Sequence, residues 1–386
     1  MVEPCPLIDI SGSPHARGVQ HGRAAEGRIR KGIAHYTAQI GKSGMGEAEI
    51  VALVRDYLPV IERFDPLYIE EMQGIAAGAG VPFEHIALLN ARTEILKLAE
   101  RPDLRARLAE AVADGCTGVV VMPEATAERR LIHAQNWDWK AECAETAVVL
   151  RIRRDDGPDI LTFTEAGGLA RSGLNAGGIG LTANYLQSDR DYRSVGVPLA
   201  LIRRKVLEQE TPALAMKAVY ATPKSAANNM MVSASIAPSP SRPGQGVAID
   251  FECAPDETFQ VHAEGGLLAH ANHFVSPVAL TKLRDTGVAS TPCSLYRDMR
   301  VRDLLRPHVG AITTAHVKEA LFDDFGSPFS VCRPPRLNDA NNLSASVAMI
   351  VMEPSRGVME VAMLPALNRS FTRFSLDGAA LQAAAE

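Results

Sequence analysis

The stretch ADGCTGVVVMP (residues 113–123), followed by LIHAQNWDWK (131–140), decides the fold of this chain. Upstream of it, from His15 to Ile40 and again across DPLYIEEMQGIAAGAG (65–80), apolar residues recur at three- and four-residue intervals, with Asp65 set as an N-cap and Gly80 as a stop. The first 113 residues therefore read as helix. Pro82 opens a further helix through HIALLNARTEILKLAE (85–100), and LRARLAEAVA (104–113) reads as its successor. After Asp114-Gly115 the pattern becomes that of strands: TGVVVMP, RRLIHAQNWDW, TAVVLRIRR and DILTFTE are short β-forming runs separated by polar or Gly-containing turns.

Outward from there, GGLARSGLNAGGIGLTANYL (167–186) continues the strands but carries six glycines, a sign of tight turns and close backbone approach. Helices return between Pro198 and Thr222, in SLYRDMRVRDLL (294–305) and in TTAHVKEALF (313–322). Strands recur in MMVSASI (230–236), GVAIDFEC (246–253), TFQVHAEGG (258–266), SASVAMIVMEP (344–354) and GVMEVAML (357–364). Strands grouped with strands and helices with helices make an α+β pattern, in which two antiparallel sheets stack with helices outside.

Composition removes several classes of function. The 386 residues include 40 Lys or Arg and 45 Asp or Glu, a net charge of -5, with no basic block to neutralise phosphates, so nucleic acid is not an expected partner. No window is apolar enough to span a bilayer, and MVEPCPLIDISGSPHARG (1–18) lacks the basic, apolar and small-residue sections of a signal peptide. The expected location is cytoplasmic, without membrane attachment. Cys5, Cys116, Cys143, Cys253, Cys293 and Cys332 are scattered, with no C-x-x-C pair to suggest a zinc knuckle or a disulfide framework.

Among these cysteines Cys116 stands apart. It follows Asp-Gly, a turn dipeptide that leaves the Gly115 carbonyl sterically open, at the junction of helix and strand. A hairpin through the next strand would return Asp138, set between Trp137 and Trp139, to the start of the first strand.

DGCT (114–117), QNWDW (135–139), GLNAGGIGLTANY (173–185) and HANHF (270–274), with LNARTEI (89–95) upstream, together resemble the acyl-coenzyme A:6-aminopenicillanic acid acyltransferase family, peptidase C45-like members of the N-terminal nucleophile hydrolases. Order and spacing match from Gln20 to Arg373. The resemblance implies a four-layer αββα sandwich and a precursor that cuts itself at Gly115–Cys116. Residues 1–115 would become a helical α-subunit and 116–386 a β-subunit, held together as a heterodimer forming one domain. It implies Cys116 as nucleophile, its new α-amine as base, Asp138 as the holder of that amine, and Asn272 as an oxyanion donor. Asn184 or Tyr185 would supply a second donor, and Arg297 an arginine near the nucleophile. Small amides or acyl thioesters such as acyl-coenzyme A would be the substrates, water or an amine the acceptor; no metal or organic cofactor is implied. In the related bile-salt and penicillin V hydrolases an arginine stands three residues before the aspartate. Here that position is Gln135, which removes a cation that would favour the thiolate.

Three rival readings make distinct demands. A metal hydrolase would use His262, His270 and His273, but HANH lacks the helical spacing of H-E-x-x-H and has no evident carboxylate ligand. A papain-type protease would start a helix with its cysteine, whereas Cys116 opens TGVVV. A non-catalytic binding module of the same fold would have no use for a free amine at residue 116.

Overall fold

The computed structural model describes residues 2–99, 115–338 and 342–378; the helical reading of 104–113 lies outside them. The first segment corrects the all-helical expectation. Leu7–Ile10 is a strand, β1. Ile8 and Ile10 are buried and Asp9 is exposed, the period of two that a strand needs.

Six helices follow: α1 (Pro14–Ala24), α2 (Glu26–Gly41), α3 (Glu47–Phe64), α4 (Pro66–Ala79), α5 (Phe83–Asn90) and α6 (Arg92–Ala99). Asp65 caps α4 by accepting from Leu67 N at 3.0 Å, and Gly80 ends it at φ +60°, a conformation that a side chain would strain. α1 and α4 pack backbone to backbone, because Gly18 and Gly22 face Gly74 and Gly78. A Cβ on Gly18 would stand 2.1 Å from Glu71 O, and one on Gly74 would stand 2.3 Å from His15 O. Neither obstacle is a side chain that can swing away. Gly18→Ala is therefore expected to cost about 3 kcal/mol of stability. A urea midpoint equal to that of the parent would show that the helices separate freely.

The remaining chain supplies β2 (Gly115–Val121), β3 (Ile132–Lys140), β4 (Ala147–Ile152), β5 (Ile160–Glu165), β6 (Ser172–Asn175), β7 (Ile179–Tyr185), α7 (Leu199–Leu207), α8 (Pro212–Tyr220), β8 (Asn228–Ile236), β9 (Gln245–Cys253), β10 (Thr258–His262), β11 (Leu267–His270), α9 (Pro277–Lys282), α10 (Ser294–Leu305), α11 (Thr314–Leu321), β12 (Arg336–Leu337), β13 (Leu343–Glu353), β14 (Val358–Met363) and β15 (Thr372–Ser375). One sheet runs β1-β4-β5-β6-β7-β8-β9-β10, with β1 parallel to β4. The other runs β11-β2-β3-β13-β14-β15, with β12 on β13.

The sheets lie face to face, β7 across β2 and β3. α7 lies on β6 and β7 and α8 on β8 and β9, while α10 and α11 cover the outer face of the second sheet over β2, β3, β11 and β13. Helix, sheet, sheet, helix is the αββα sandwich.

Alternation along β2 shows how the hairpin is held. Val119 and Val121 point outward into a cluster with Val301, Leu305, Val317 and Leu321, while Val120 turns inward against Met231. Each valine buried in this way contributes about 1.5–3 kcal/mol. Both faces of β2 and β3 are buried, so every polar side chain on them needs a partner inside the protein. Among the described residues no helix is long and apolar enough to cross a membrane.

Candidate active site

The β2–β3 register sets Gly115 opposite Asp138 and Cys116 opposite Trp137. The predicted hairpin therefore forms, and it does return Asp138 to the start of the first strand. Because side chains opposite one another in an antiparallel pair share a face, Cys116 and Trp137 point between the sheets, while Asp138 points to the outer layer beside Gly115. Asp138 thus flanks the position of the residue 116 amino group rather than the sulfur.

On the other side of β2 lies β11, with His270 opposite Gly118. Two residues further on, the same course brings Asn272 beside Cys116. Cys116 is fully buried, and its N–H donates to Asn272 Oδ1 at 2.7 Å. Arg297, reaching in from α10 and also fully buried, donates to Cys116 O at 2.6 Å, Thr117 Oγ1 at 2.8 Å and Asn272 Oδ1 at 2.7 Å. Asn272 Nδ2 donates to Tyr185 O at 2.9 Å. The two partners of Oδ1 can only donate and Tyr185 O can only accept, so this amide has one satisfied orientation, with its oxygen toward Cys116 N. Ser294 Oγ accepts from Asn272 N at 2.7 Å and lies 2.8 Å from His273 Nδ1, which ties the HANHF loop to the first residue of α10.

Asp138 is held by groups that the sequence did not single out. Ser346 Oγ on β13 donates to Oδ1 at 2.6 Å, and Arg333 Nε lies 3.2 Å from Oδ2. The same guanidinium lies against Gly115: a Cβ there would come within 2.3 Å of Arg333 Nη1. Glycine before the cysteine is thus what lets a cation lie over the Gly115–Cys116 linkage.

Gln135 does not leave the sulfur without a cation, a correction to the sequence expectation. Arg171, at the end of the loop between β5 and β6, places Nη2 3.9 Å from Cys116 Sγ, with its guanidinium 4.2 Å from the Trp137 ring centroid. Gln135 instead fixes the neighbouring backbone, accepting from Ser172 Oγ and donating to Ala183 O, each at 2.7 Å. A positive group in contact with a sulfur favours thiolate over thiol.

Asn184 is also placed differently from the sequence expectation. Its N–H donates to Asn229 Oδ1 at 2.6 Å, and its amide donates to His270 O at 3.1 Å and Ala271 O at 2.9 Å. All its N–H groups are engaged in holding β7 to β8 and to the Asn272 loop, so Asn184 has no free N–H to serve as the second oxyanion donor.

The model of the acyl-coenzyme A:6-aminopenicillanic acid acyl-transferase family matches residues 125–363, a span that starts past Cys116 and includes Asp138, Asn184, Asn272 and Arg297. A curated protein of Emericella nidulans, acyl-coenzyme A:6-aminopenicillanic-acid-acyltransferase 40 kDa form, is 30% identical over 331 residues, covering 84% of each chain. The chain belongs to this family.

As a member, it is an enzyme of the acyltransferase and amide-hydrolase class. A mutant conjugated bile acid hydrolase of Clostridium perfringens resembles the family member with a TM-score of 0.45 at 12% identity, over 70% of this chain and 97% of that one. Penicillin V acylase of Agrobacterium tumefaciens does so with a TM-score of 0.43 at 14% identity, over 68% of this chain and 86% of that one.

Behind the Asn272 loop this acyltransferase-family chain carries a buried ion cluster that sequence reading missed. His270 Nε2 lies 2.8 Å from Glu252 Oε1 and 3.5 Å from Asp250 Oδ2, and Glu252 also accepts from Val275 N at 2.6 Å and Ser276 N at 3.1 Å. The loop presenting Asn272 is thus clamped at both ends by one carboxylate. Burial opposes a charge on His270, but Asp250 and Glu252 outweigh it and raise the pKa from 6.5 to about 9. Between those pH values the folded chain holds a proton that the unfolded chain has released. The contribution is complete below pH 6.5 and fades as pH rises through 9, removing about 3 kcal/mol. The loss of unfolding free energy between pH 6 and pH 9.5 should be smaller in Glu252→Gln than in the parent, the difference between the two curves being the share that His270 carries. Equal pH dependence in parent and variant would dissociate His270 from the clamp.

Proposed function

We propose that this chain is a self-processing N-terminal cysteine amidohydrolase or acyltransferase, with Cys116 as nucleophile. The observation that carries the reading is the position of Cys116: its N–H on Asn272 Oδ1, its carbonyl on Arg297, its sulfur beside Arg171, and Asp138 across from Gly115.

In processing, the Cys116 thiolate adds to the Gly115 carbonyl. The C–N bond breaks, and the nitrogen leaves with a proton as the α-amine of Cys116. Water then hydrolyses the thioester, giving a Gly115 carboxylate and a free thiol. The new amine titrates near neutral pH, unlike the peptide nitrogen it replaces, and stands where Asn272 Oδ1 accepts and Asp138 can form a charge-assisted hydrogen bond. In turnover this amine takes the thiol proton as sulfur attacks a small amide or an acyl thioester such as acyl-coenzyme A, and returns it to the departing amine or thiol. Water or an amine then takes the acyl group from Cys116. No step calls on a metal or organic cofactor.

Residues 1–115 and 116–386 would remain together as α- and β-subunits of one domain. β1 pairs with β4, and Tyr36, Ile75 and Leu89 share a core with Val149 and Phe163. Glu71 forms a fully buried ion pair with Arg204 at 3.1 Å.

The test is the intact mass of freshly purified protein, with N-terminal sequencing of any second fragment. Dividing 41.4 kDa in proportion to 115 and 271 residues gives pieces of about 12 and 29 kDa, the larger beginning Cys-Thr-Gly-Val. A single 41.4 kDa species after long incubation would overturn self-processing.

A further inference from the structure

His270, behind the loop that presents Asn272, has a hydrogen-bond environment that calls for two protons on its ring. Nδ1 lies 3.1 Å from Ala271 O, and Nε2 lies 2.8 Å from Glu252 Oε1 and 3.5 Å from Asp250 Oδ2. A neutral imidazole has one N–H, so one nitrogen would turn a lone pair on an acceptor; the imidazolium satisfies both sides. His133 and His21, equally buried, are placed differently. His133 faces the hydroxyls of Ser233 and Thr182, each at 2.8 Å, and His21 Nε2 accepts from Gly167 N at 3.1 Å. Burial pushes these two down to about 3 and about 4.

The neighbouring charges come from three elements. On β9, burial pushes the Asp250 carboxyl up to about 6 against the pull of His270, so it is ionised above pH 7. In the loop, His273 stacks on His270 at 6.2 Å between ring centroids. Burial, and then the His270 charge, lower its affinity for a proton; Asp298 and Asp285 favour that proton and Arg297 opposes it. Asp298 and Arg297 lie on α10, where Asp298 pairs with Arg302, while Asp285 accepts from Phe274 N at 2.9 Å.

The Nδ1 proton ends on the peptide that carries Asn272. Ala271 O and Asn272 N are two ends of one planar unit. The oxygen also accepts from Asn184 Nδ2 at 2.9 Å, and the N–H donates to Ser294 Oγ at 2.7 Å. On deprotonation the charge-assisted bond keeps Nε2–H on Glu252, and the proton is lost from Nδ1. A lone pair then opposes the Ala271 carbonyl at 3.1 Å, the peptide tilts, and the Asn272 amide swings off Cys116 N.

We propose that His270 is a positioning residue, held doubly protonated by Asp250 and Glu252 so that Asn272 meets Cys116, and that loss of this buried proton, rather than of one at the nucleophile, ends activity at alkaline pH. The proposal rests on the Cys116 reading for its reaction, and on the cluster alone for the movement of Asn272.

Two arms test this on the full chain. In the first, kcat should rise as the Cys116 amine loses its proton near pH 8 and fall about tenfold per unit above pH 9. Asp250→Asn touches neither Asn272 nor Cys116, yet it should bring the fall to lower pH by about one unit, the effect of losing a neighbouring opposite charge. His270→Gln keeps an N–H for Glu252 that does not titrate, and its kcat should be lower than that of the parent but show no fall in this range. A fall at the parent pH in Asp250→Asn, or one that survives in His270→Gln, would overturn the proposal. The second arm needs no turnover: with 15N-labelled histidine and asparagine, the Asn272 side-chain amide signals should shift at the same midpoint as the His270 ring. Asn272 signals that stay fixed while His270 titrates, or a His270 ring already neutral at pH 7, would overturn the proposal whatever the activity. Signals that move together in a chain neither cut nor active at any pH would refute the Cys116 chemistry and leave the coupling standing.

Discussion

Cys116→Ala is expected to yield one uncut chain of 41.4 kDa with no amidase or acyltransferase activity, where the parent yields two fragments. Both losses follow from one atom. Without Sγ nothing adds to the Gly115 carbonyl, so the peptide nitrogen never becomes an amine, and the variant lacks nucleophile and base together. The fold should survive. Cys116 occupies a strand position whose backbone is held by Asn272, Arg297 and the β3 ladder, none of which uses the thiol. Loss of the small buried side chain costs about 1 kcal/mol, well inside a domain's margin. Intact mass and a thermal melt on one preparation check both statements. Cutting at the parent rate in this variant would move the reaction to another residue. Cys116→Ser separates the functions further, because a hydroxyl is the poorer nucleophile: it should cut slowly and turn over less than the parent.

Part of this site was legible because it is local: DGCT and QNWDW lie on β2 and β3, whose hairpin register carries Asp138 beside Gly115 and Cys116. Asn272 came only from the family resemblance, since HANHF follows β11, which pairs with β2 across more than a hundred residues of chain. Arg297 was legible only as a candidate. SLYRDMRVRDLL offers several arginines, and which of them faces the sheet depends on how α10 sits over β2. Arg171 and Arg333 were not legible. Each arrives from a loop whose path is fixed by the packing of both sheets, and no spacing in the sequence relates residue 171 or 333 to residue 116. The signal nearest to Arg171 was the glycine-rich run around it, since close backbone approach is what lets its side chain span from the first sheet to a sulfur on the second. Gln135 pointed the wrong way for the same reason: the loss of a cation at one position says nothing of a cation supplied from another strand.

The fold was legible to a similar depth. Period-two runs and their turns located the strands from TGVVV onward, and the grouping of elements implied stacked sheets. β1 was missed because four residues, LIDI, are too short to establish a period, and its partner β4 lies more than a hundred residues away. The α1–α4 contact had a visible cause in glycines spaced four apart, but only the structure shows that the two glycine rows meet.

Asn272→Ala should lower turnover by about a hundredfold or more, the effect of removing an oxyanion donor. The arrangement also makes the side chain an acceptor, and two substitutions separate these roles. In this chain Asn272 Oδ1 receives Cys116 N–H and Arg297 Nη2 while Nδ2 points toward β7. Alanine removes both functions and leaves a buried peptide N–H and one arm of a buried guanidinium without an acceptor, each worth about 1–3 kcal/mol. Asn272→Ala should therefore lose stability as well as rate, and the rate alone would not identify the cause. Asn272→Asp keeps the acceptor. A carboxylate there still receives Cys116 N–H and pairs with Arg297, so the variant should be cut, at some cost in stability because its second oxygen meets Tyr185 O where Nδ2 donated. What it lacks is the amide N–H, and if that group donates to the tetrahedral oxyanion, turnover falls as far as in the alanine variant despite normal cutting. Turnover at the parent rate in Asn272→Asp would mean that Asn272 serves only to hold the Cys116 amine. The oxyanion would then have to be met from elsewhere, and Arg297, already at the Cys116 carbonyl, is the group in place to do so.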